Sequence, residues 1–239
     1  MRTEDPSLPL DETPTHFVRR EVRGAGIGVG VADKPEGLSA IHSPGCAASI
    51  WRRHPLPSFQ AWLDGLDPKI LPSGRMTLPA DTVHTAVLDL CDRDGTPAGA
   101  MRDHLVDDIA ALATLFAELM GSALLKLRLE RVATNSCTKF HIDAITGRLI
   151  CTYRGTGTQY GILTEGDVPR RIFTVPTGSP IILRGTLWPQ SPPAGVMHRS
   201  PPIEGTGETR LVLILDPVQD LENGEQTHNS HQAKGKALQ

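Results

Sequence analysis

The chain has 239 residues, with 24 basic against 27 acidic side chains and a formal net charge of -3. That length can bury a substantial core in one large domain, and the balanced charge, with no basic run longer than Trp51-Arg52-Arg53-His54, argues against a nucleic-acid partner. An aromatic content of 4% argues against a base-stacking surface, while 23 glycines and 20 prolines favour a loop-rich, strand-built body over a helical bundle.

Residues 1–22 are rich in Pro, Asp, Glu and Thr and read as a flexible lead-in. They carry no apolar run of the kind a signal peptide needs, and no segment approaches the roughly eighteen consecutive apolar residues of a membrane span. Cys46, Cys91, Cys137 and Cys151 form no Cys-x-x-Cys pair. The expectation is a cytoplasmic protein with reduced thiols and no membrane partner. Nothing in the sequence sets the oligomeric state.

The block Gly24-Ala-Gly-Ile-Gly-Val-Gly-Val-Ala resembles a phosphate loop, but Lys34-Pro35 does not open a helix behind it. A flexible strand or loop is expected instead. Between Ile41 and Leu66, Ile50-Trp51 and Phe59 to Leu66 suggest short helices broken by Pro55 and Pro57, with Trp51 and Trp62 as core anchors. The clearest helix runs from about Asp103, a candidate cap, to Gly121. Leu105, Ile109, Leu112, Phe116 and Leu119 recur there at steps of three and four.

After that helix the period changes to two. Leu125-Lys-Leu127-Arg-Leu129-Glu alternates strictly, and further strands are expected at Arg148 to Tyr153, Ile172 to Val175, Pro180 to Arg184, Val196 to Ser200 and Arg210 to Leu215. Glycine and proline turns separate them, which reads as an α+β, mainly β protein with an antiparallel barrel or sandwich built on the helix. One globular domain is expected over 23–217, with a helical layer at about 40–123 and the β core at about 124–217. Residues 218–239 are polar throughout and read as a disordered tail, His228 and His231 included.

Chemistry concentrates between Cys137 and Tyr160. His141-Ile142-Asp143 places two metal-ligating side chains on one face if the segment is extended. A lone His-x-Asp is weak, since sixteen aspartates and nine histidines give about 0.6 by chance. His198 on a later strand supplies a third ligand, and two imidazoles with one carboxylate form the facial triad that holds non-haem Fe(II) with positions left open. Arg210, twelve residues further on, is an always-charged planar donor suited to the distal carboxylate of 2-oxoglutarate. Tyr153 or Thr152 could add a hydroxyl there, and Arg148 is a competing donor.

Other readings stay open at this level. His141 and Asp143 can be a satisfied histidine and a turn aspartate. Cys137 with His141 and Asp143 would make a zinc site. Cys151, between Leu149-Ile150 and Thr152, reads as a small buried hydrophobe. No Gly-x-Ser-x-Gly elbow appears, and Gly155 to Gly161 lacks dinucleotide-binding spacing, so it reads as a turn or a lip over the site.

Several blocks in order resemble the bacterial family called domain of unknown function 1826: Cys137-x-x-Phe140-His141-x-Asp143, Arg148-Leu149-x-x-Thr152-Tyr153-x-Gly155-x-Gly157-Thr158, Leu183-x-Gly185-x-x-Trp188-Pro189, His198-Arg199-Ser200-Pro201-Pro202 and Arg210-Leu211-x-Leu213-x-Leu215-Asp216. One turn departs from it: Gly-Thr-Glu-Trp is expected where Gly157-Thr158-Gln159-Tyr160 stands. The pattern is similar to double-stranded β-helix, cupin-like jelly-roll proteins, among them the Fe(II) and 2-oxoglutarate oxygenases. The resemblance implies metal ligation by His141, Asp143 and His198, with Arg210 as the cosubstrate anchor and the substrate unnamed. A non-enzymatic module binding zinc, another divalent metal or a small ligand is the alternative.

Overall fold

The computed structural model describes residues 25–163 and 168–218. The expected lead-in at 1–22 and the tail from 219 onward, with His228 and His231, lie outside the described residues.

Among the described residues, ten strands form two sheets. They are β1 (Gly28–Ala32), β2 (Cys46–Trp51), β3 (Gly74–Pro79), β4 (Leu124–Val132), β5 (Gly147–Arg154), β6 (Gln159–Ile162), β7 (Phe173–Thr174), β8 (Pro180–Arg184), β9 (Val196–Arg199) and β10 (Arg210–Pro217). The larger sheet runs β1-β2-β8-β5-β10-β4-β3 and the smaller β7-β6-β9. A backbone bridge between His141 and His198 adds one more rung beside β9. From β4 onward the chain passes repeatedly between layers: β4 large, His141 small, β5 large, β6 and β7 small, β8 large, β9 small, β10 large. This is the winding of a double-stranded β-helix, with β1, β2 and β3 widening its larger sheet.

Alternation along the central strands sorts side chains between two cores. Leu125, Leu127 and Leu129 of β4, Leu149, Cys151 and Tyr153 of β5, and Leu211, Leu213 and Leu215 of β10 face a helical layer. Ile150 of β5, Val212 of β10, Ile181 and Leu183 of β8, and Val196 of β9 fill the space between the sheets. The helical layer comprises α1 (Pro57–Gly65), α2 (Val83–Asp94) and α3 (Ala100–Met120). Helix α3 buries Leu105, Ile109, Leu112 and Phe116. It ends at Gly121, whose φ of 59° suits a residue without Cβ.

Several details differ from expectation. Helix α3 starts after Gly99, so Asp103 lies in its first turn, where its charge complements the helix dipole without capping it. Ile50-Trp51 is the end of strand β2, because the segment pairs with β1 and β8. Pro57 begins α1, at a position where its missing N–H costs nothing. Trp51 and Trp62 do pack against the helix-side core. The block Gly28–Ala32 is a strand, parallel to β2. Among the described residues no helix is long and apolar enough to cross a membrane.

Leu213 is fully buried at the centre of β10, between β4 and β5 and under the helices. Leu213→Ala is expected to destabilise the protein by about 2–5 kcal/mol, read as a lower urea midpoint.

Candidate metal centre

His141 and Asp143 do not sit on a regular strand. His141 makes a two-bond rung with His198: its N–H donates to the His198 carbonyl at 3.1 Å, and its carbonyl accepts the return bond at 2.9 Å. Asp143 follows in a loop, and its carbonyl accepts from the Thr186 N–H at 2.9 Å. This contact needs Gly185, because a Cβ there would meet the Ile145 carbonyl oxygen at 1.9 Å and that of Asp143 at 2.8 Å. The approach to His141 is secured from β9. Arg199 stacks its guanidinium over Phe140, 4.5 Å from the ring centroid, and the Ser200 N–H donates to the Cys137 carbonyl at 3.1 Å. Arg199 Nε also donates to Gln159 Oε1 at 2.8 Å.

The three side chains converge. One ligand atom from each of His141, Asp143 and His198 lies within 4.8 Å of the others. His198 Nε2 is 3.1 Å from Asp143 Oδ2, and His141 Nε2 is 3.6 Å from Oδ1. His141 Nδ1 lies 2.9 Å from the Lys139 carbonyl, an acceptor only, so the proton belongs on Nδ1 and the Nε2 lone pair is free. His198 is 5% exposed. Burial, the largest influence on it, lowers its pKa against the pull of Asp143 and keeps the ring neutral. Burial works to raise the Asp143 carboxyl, but His198, Arg148 and His141 together outweigh it and bring the carboxyl down to about 2.

The donor set fits a divalent ion. Asp143 Oδ2 is buried without a hydrogen bond of acceptable geometry. Its close neighbours are Arg148 Nη1 at 2.6 Å, a charge contact, and His198 Nε2 at 3.1 Å. A buried carboxylate oxygen beside two bare imidazole nitrogens is chemistry a cation completes. Cys137 is exposed and does not join the cluster. Cys151 is fully buried, its thiol pushed up to about 12 by burial, and is an inert packing group.

The arginines separate. Arg210 is 1% exposed and faces the space between the sheets. Its Nε donates to the Thr156 carbonyl at 2.6 Å and Nη2 to Thr152 Oγ1 at 3.3 Å. Gly155 makes room for it at φ 79°, since a Cβ there would come 2.9 Å from Arg210 Cγ. Among the described residues no carboxylate lies within ion-pair distance of Arg210. Burial lowers its pKa to about 10, opposed by Glu208, so it stays charged at neutral pH. Arg148 is committed elsewhere, pairing with Asp143 and, through Nε at 2.6 Å and Nη2 at 2.9 Å, with Asp216.

Tyr153 does not stand beside Arg210. It has the opposite parity to Thr152 in β5, and its hydroxyl donates to Asp108 Oδ2 on α3 at 2.6 Å. The signal was available in the sequence, since Tyr153 shares its parity with the apolar Leu149 and Cys151. Asp216 and Tyr160 were not anticipated. Asp216 shares parity with Arg210 in β10. Tyr160 lies in β6, a strand hidden within the glycine-rich turn, and is paired directly with His198.

A family model described as Protein of unknown function (DUF1826) matches residues 32–216. No curated protein matches the sequence. Among solved structures, the chain is similar to a dioxygenase for auxin oxidation from rice, at 16% identity and a TM-score of 0.46, over 79% of each chain. It is also similar to the Arabidopsis thaliana dioxygenase for auxin oxidation 1 complexed with 2-oxoglutarate, at 12% identity and a TM-score of 0.48, over 81% of this chain and 93% of that one. A Pseudomonas putida prolyl-4-hydroxylase aligns at 16% identity and a TM-score of 0.33, over 70% and 97%.

The two perturbed ligands set an acid dependence. Asp143, held below its ordinary 3.8, contributes stability that is complete above that value and is lost as pH falls toward about 2. His198, held below 6.5, destabilises the fold once pH drops under 6.5 and its ring must be charged. The metal-free protein is expected to lose thermal stability in two acid stages, and Asp143→Asn to remove the lower one. Melting curves across that range check this.

Proposed function

This chain belongs to the DUF1826 family, and we propose that it is a non-haem Fe(II)- and 2-oxoglutarate-dependent oxygenase acting on an unidentified substrate. The observation that carries the reading is the pairing of a converged His141, Asp143 and His198 set with a buried, charged Arg210 that no carboxylate of the described residues neutralises. Two imidazoles and one carboxylate suit Fe(II) and leave room for further ligands. A 2-oxoglutarate dianion supplies what each part lacks: an α-keto acid end for the metal and a distal carboxylate for Arg210.

In this reading Fe(II), bound with 2-oxoglutarate, supplies the activation of dioxygen for oxidation of a substrate C–H bond. The residues of the chain do the rest. Lys139 orients His141 through its Nδ1 proton, and burial keeps His198 unprotonated. Arg210 binds the distal carboxylate, with Thr152 positioning one edge of the guanidinium. Ile150, Val212 and Val196 line the space between the sheets and exclude water from it.

Anaerobic addition of Fe(II) and 2-oxoglutarate is expected to give a visible metal-to-ligand charge-transfer band. His198→Ala should abolish it, and Arg210→Met should raise the 2-oxoglutarate concentration needed by on the order of a hundredfold, the value of a buried charged hydrogen-bond pair. Tightly held zinc, with neither this band nor succinate formed from 2-oxoglutarate, would instead make the protein a metal-binding module without this activity.

A further inference from the structure

His141 and His198 are two members of a longer row. His141 bridges to His198, His198 pairs with Tyr160 in β6, and Tyr160 pairs with Phe173 in β7, all antiparallel. Residues directly opposite one another in antiparallel strands point their side chains to the same face, so His141, His198, Tyr160 and Phe173 form one line on the site-facing side of the smaller sheet. His198 commits both its N–H and its carbonyl to His141. Tyr160 is therefore its non-hydrogen-bonded partner, with Cα atoms about 4.5 Å apart. Phe173, one strand further on, stands about 10 Å along the row from His198.

The outer half of the row is an aromatic wall. The Tyr160 and Phe173 rings stack with centroids 5.4 Å apart and planes 25° from parallel. Tyr160 packs against the inner core, while Phe173, in a two-residue strand at the edge of the sheet, is 37% exposed. The wall thus runs from His198 out to solvent. It carries no charge, because Arg199, opposite Gln159, lies on the other face of β6 and β9 and is bonded to that amide. A cross-strand aromatic pair steadies any sheet, but packing does not account for the Tyr160 hydroxyl. That hydroxyl has no hydrogen-bond partner among the described residues, whereas the Tyr153 hydroxyl is held by Asp108. Burial raises its pKa, so it is a neutral donor at physiological pH.

Resting on the metal reading above, we infer that the substrate presents an uncharged aromatic ring bearing a hydrogen-bond acceptor, with the ring against Phe173 and Tyr160 and the acceptor bonded by the Tyr160 hydroxyl. A flat apolar ring loses little on leaving water for a wall without charge, and offset stacking on the Phe173 and Tyr160 rings contributes beyond the area buried. A charged group would give up its hydration there with nothing to replace it. The acceptor satisfies the one polar group that the wall offers.

The test uses the full chain loaded with Mn(II), acetophenone as the ring-bearing probe, and cyclohexyl methyl ketone as a probe of similar outline without a π-face. Relaxation of the probe protons gives both affinity and nearness to the ion, with Zn(II)-loaded protein as the diamagnetic reference. Acetophenone is expected to bind about fivefold tighter than the cyclohexyl ketone, and its protons to relax faster with Mn(II) than with Zn(II). Phe173→Leu, at a partly exposed edge position, should bring the two ketones to equal affinity. Tyr160→Phe should keep the preference for the aromatic ring and weaken both ketones by about fivefold, the value of one neutral hydrogen bond. Equal affinities in the wild-type protein, or a preference unchanged in Phe173→Leu, would overturn the proposal and leave Tyr160 and Phe173 a sheet contact. Acetophenone binding that Mn(II) does not relax would overturn it too, by placing the probe away from the metal. Undiminished binding by Tyr160→Phe would remove the acceptor from the inferred substrate. Absence of Mn(II) binding by the wild-type chain would sink the metal reading and this one with it. Ring binding beside Mn(II) without a charge-transfer band on adding Fe(II) and 2-oxoglutarate would remove the oxygenase reading and leave the aromatic subsite standing.

Discussion

Two backbone hydrogen bonds between His141 and His198 are the constraint on which the site depends. They join the loop after β4 to a strand late in the chain, and they act through main-chain atoms, so both imidazoles are placed before any side-chain contact is made. With their rings 4.6 Å apart between centroids, only one further donor is needed to enclose an ion. Asp143 becomes that donor because the Thr186 N–H and the missing Cβ of Gly185 hold its backbone against the turn after β8. Arg199, reaching Gln159 on one side and Phe140 on the other, keeps the whole approach in register with the smaller sheet.

The larger sheet serves two environments at once. Its helix-facing side is apolar across β4, β5 and β10 and is closed by α1, α2 and α3. Its other side carries Arg148, Arg210 and Asp216 beside Ile150, Val212 and Leu183 of the inner core. Charges so placed are costly to leave unpaired. Arg148 and Asp216 meet that cost within the ladder that runs from Asp143 to Arg128. Arg210 meets it only in part, through one carbonyl and one hydroxyl.

Much of the fold was legible in the sequence, for reasons that can be named. Strands β4, β5, β8, β9 and β10 and helix α3 are long or strongly patterned, so a period of two or of three to four stands out. Strand β6 escaped because Gln159-Tyr160-Gly161-Ile162 is short and follows Gly155 and Gly157, which read as a turn. Strand β2 escaped because small residues, as in Cys46-Ala47-Ala48-Ser49, carry no visible alternation when both faces are buried. Tyr153 lies away from Arg210 because its parity in β5, and not its hydroxyl, decides which face it takes.

The sequence by itself determined the chemical types and their faces: two histidines, an aspartate and several arginines, on or beside strands whose apolar alternation decides which side chains look inward. Only the tertiary structure decided the partners. Parity says that Arg148, Arg210 and Asp216 share a face, but ion pairs form over a few ångströms, and strand register and sheet order set which groups come that close. The register places Arg148 against Asp216 and Asp143, and leaves Arg210 at the other end of the same face with no carboxylate of the described residues within ion-pair distance.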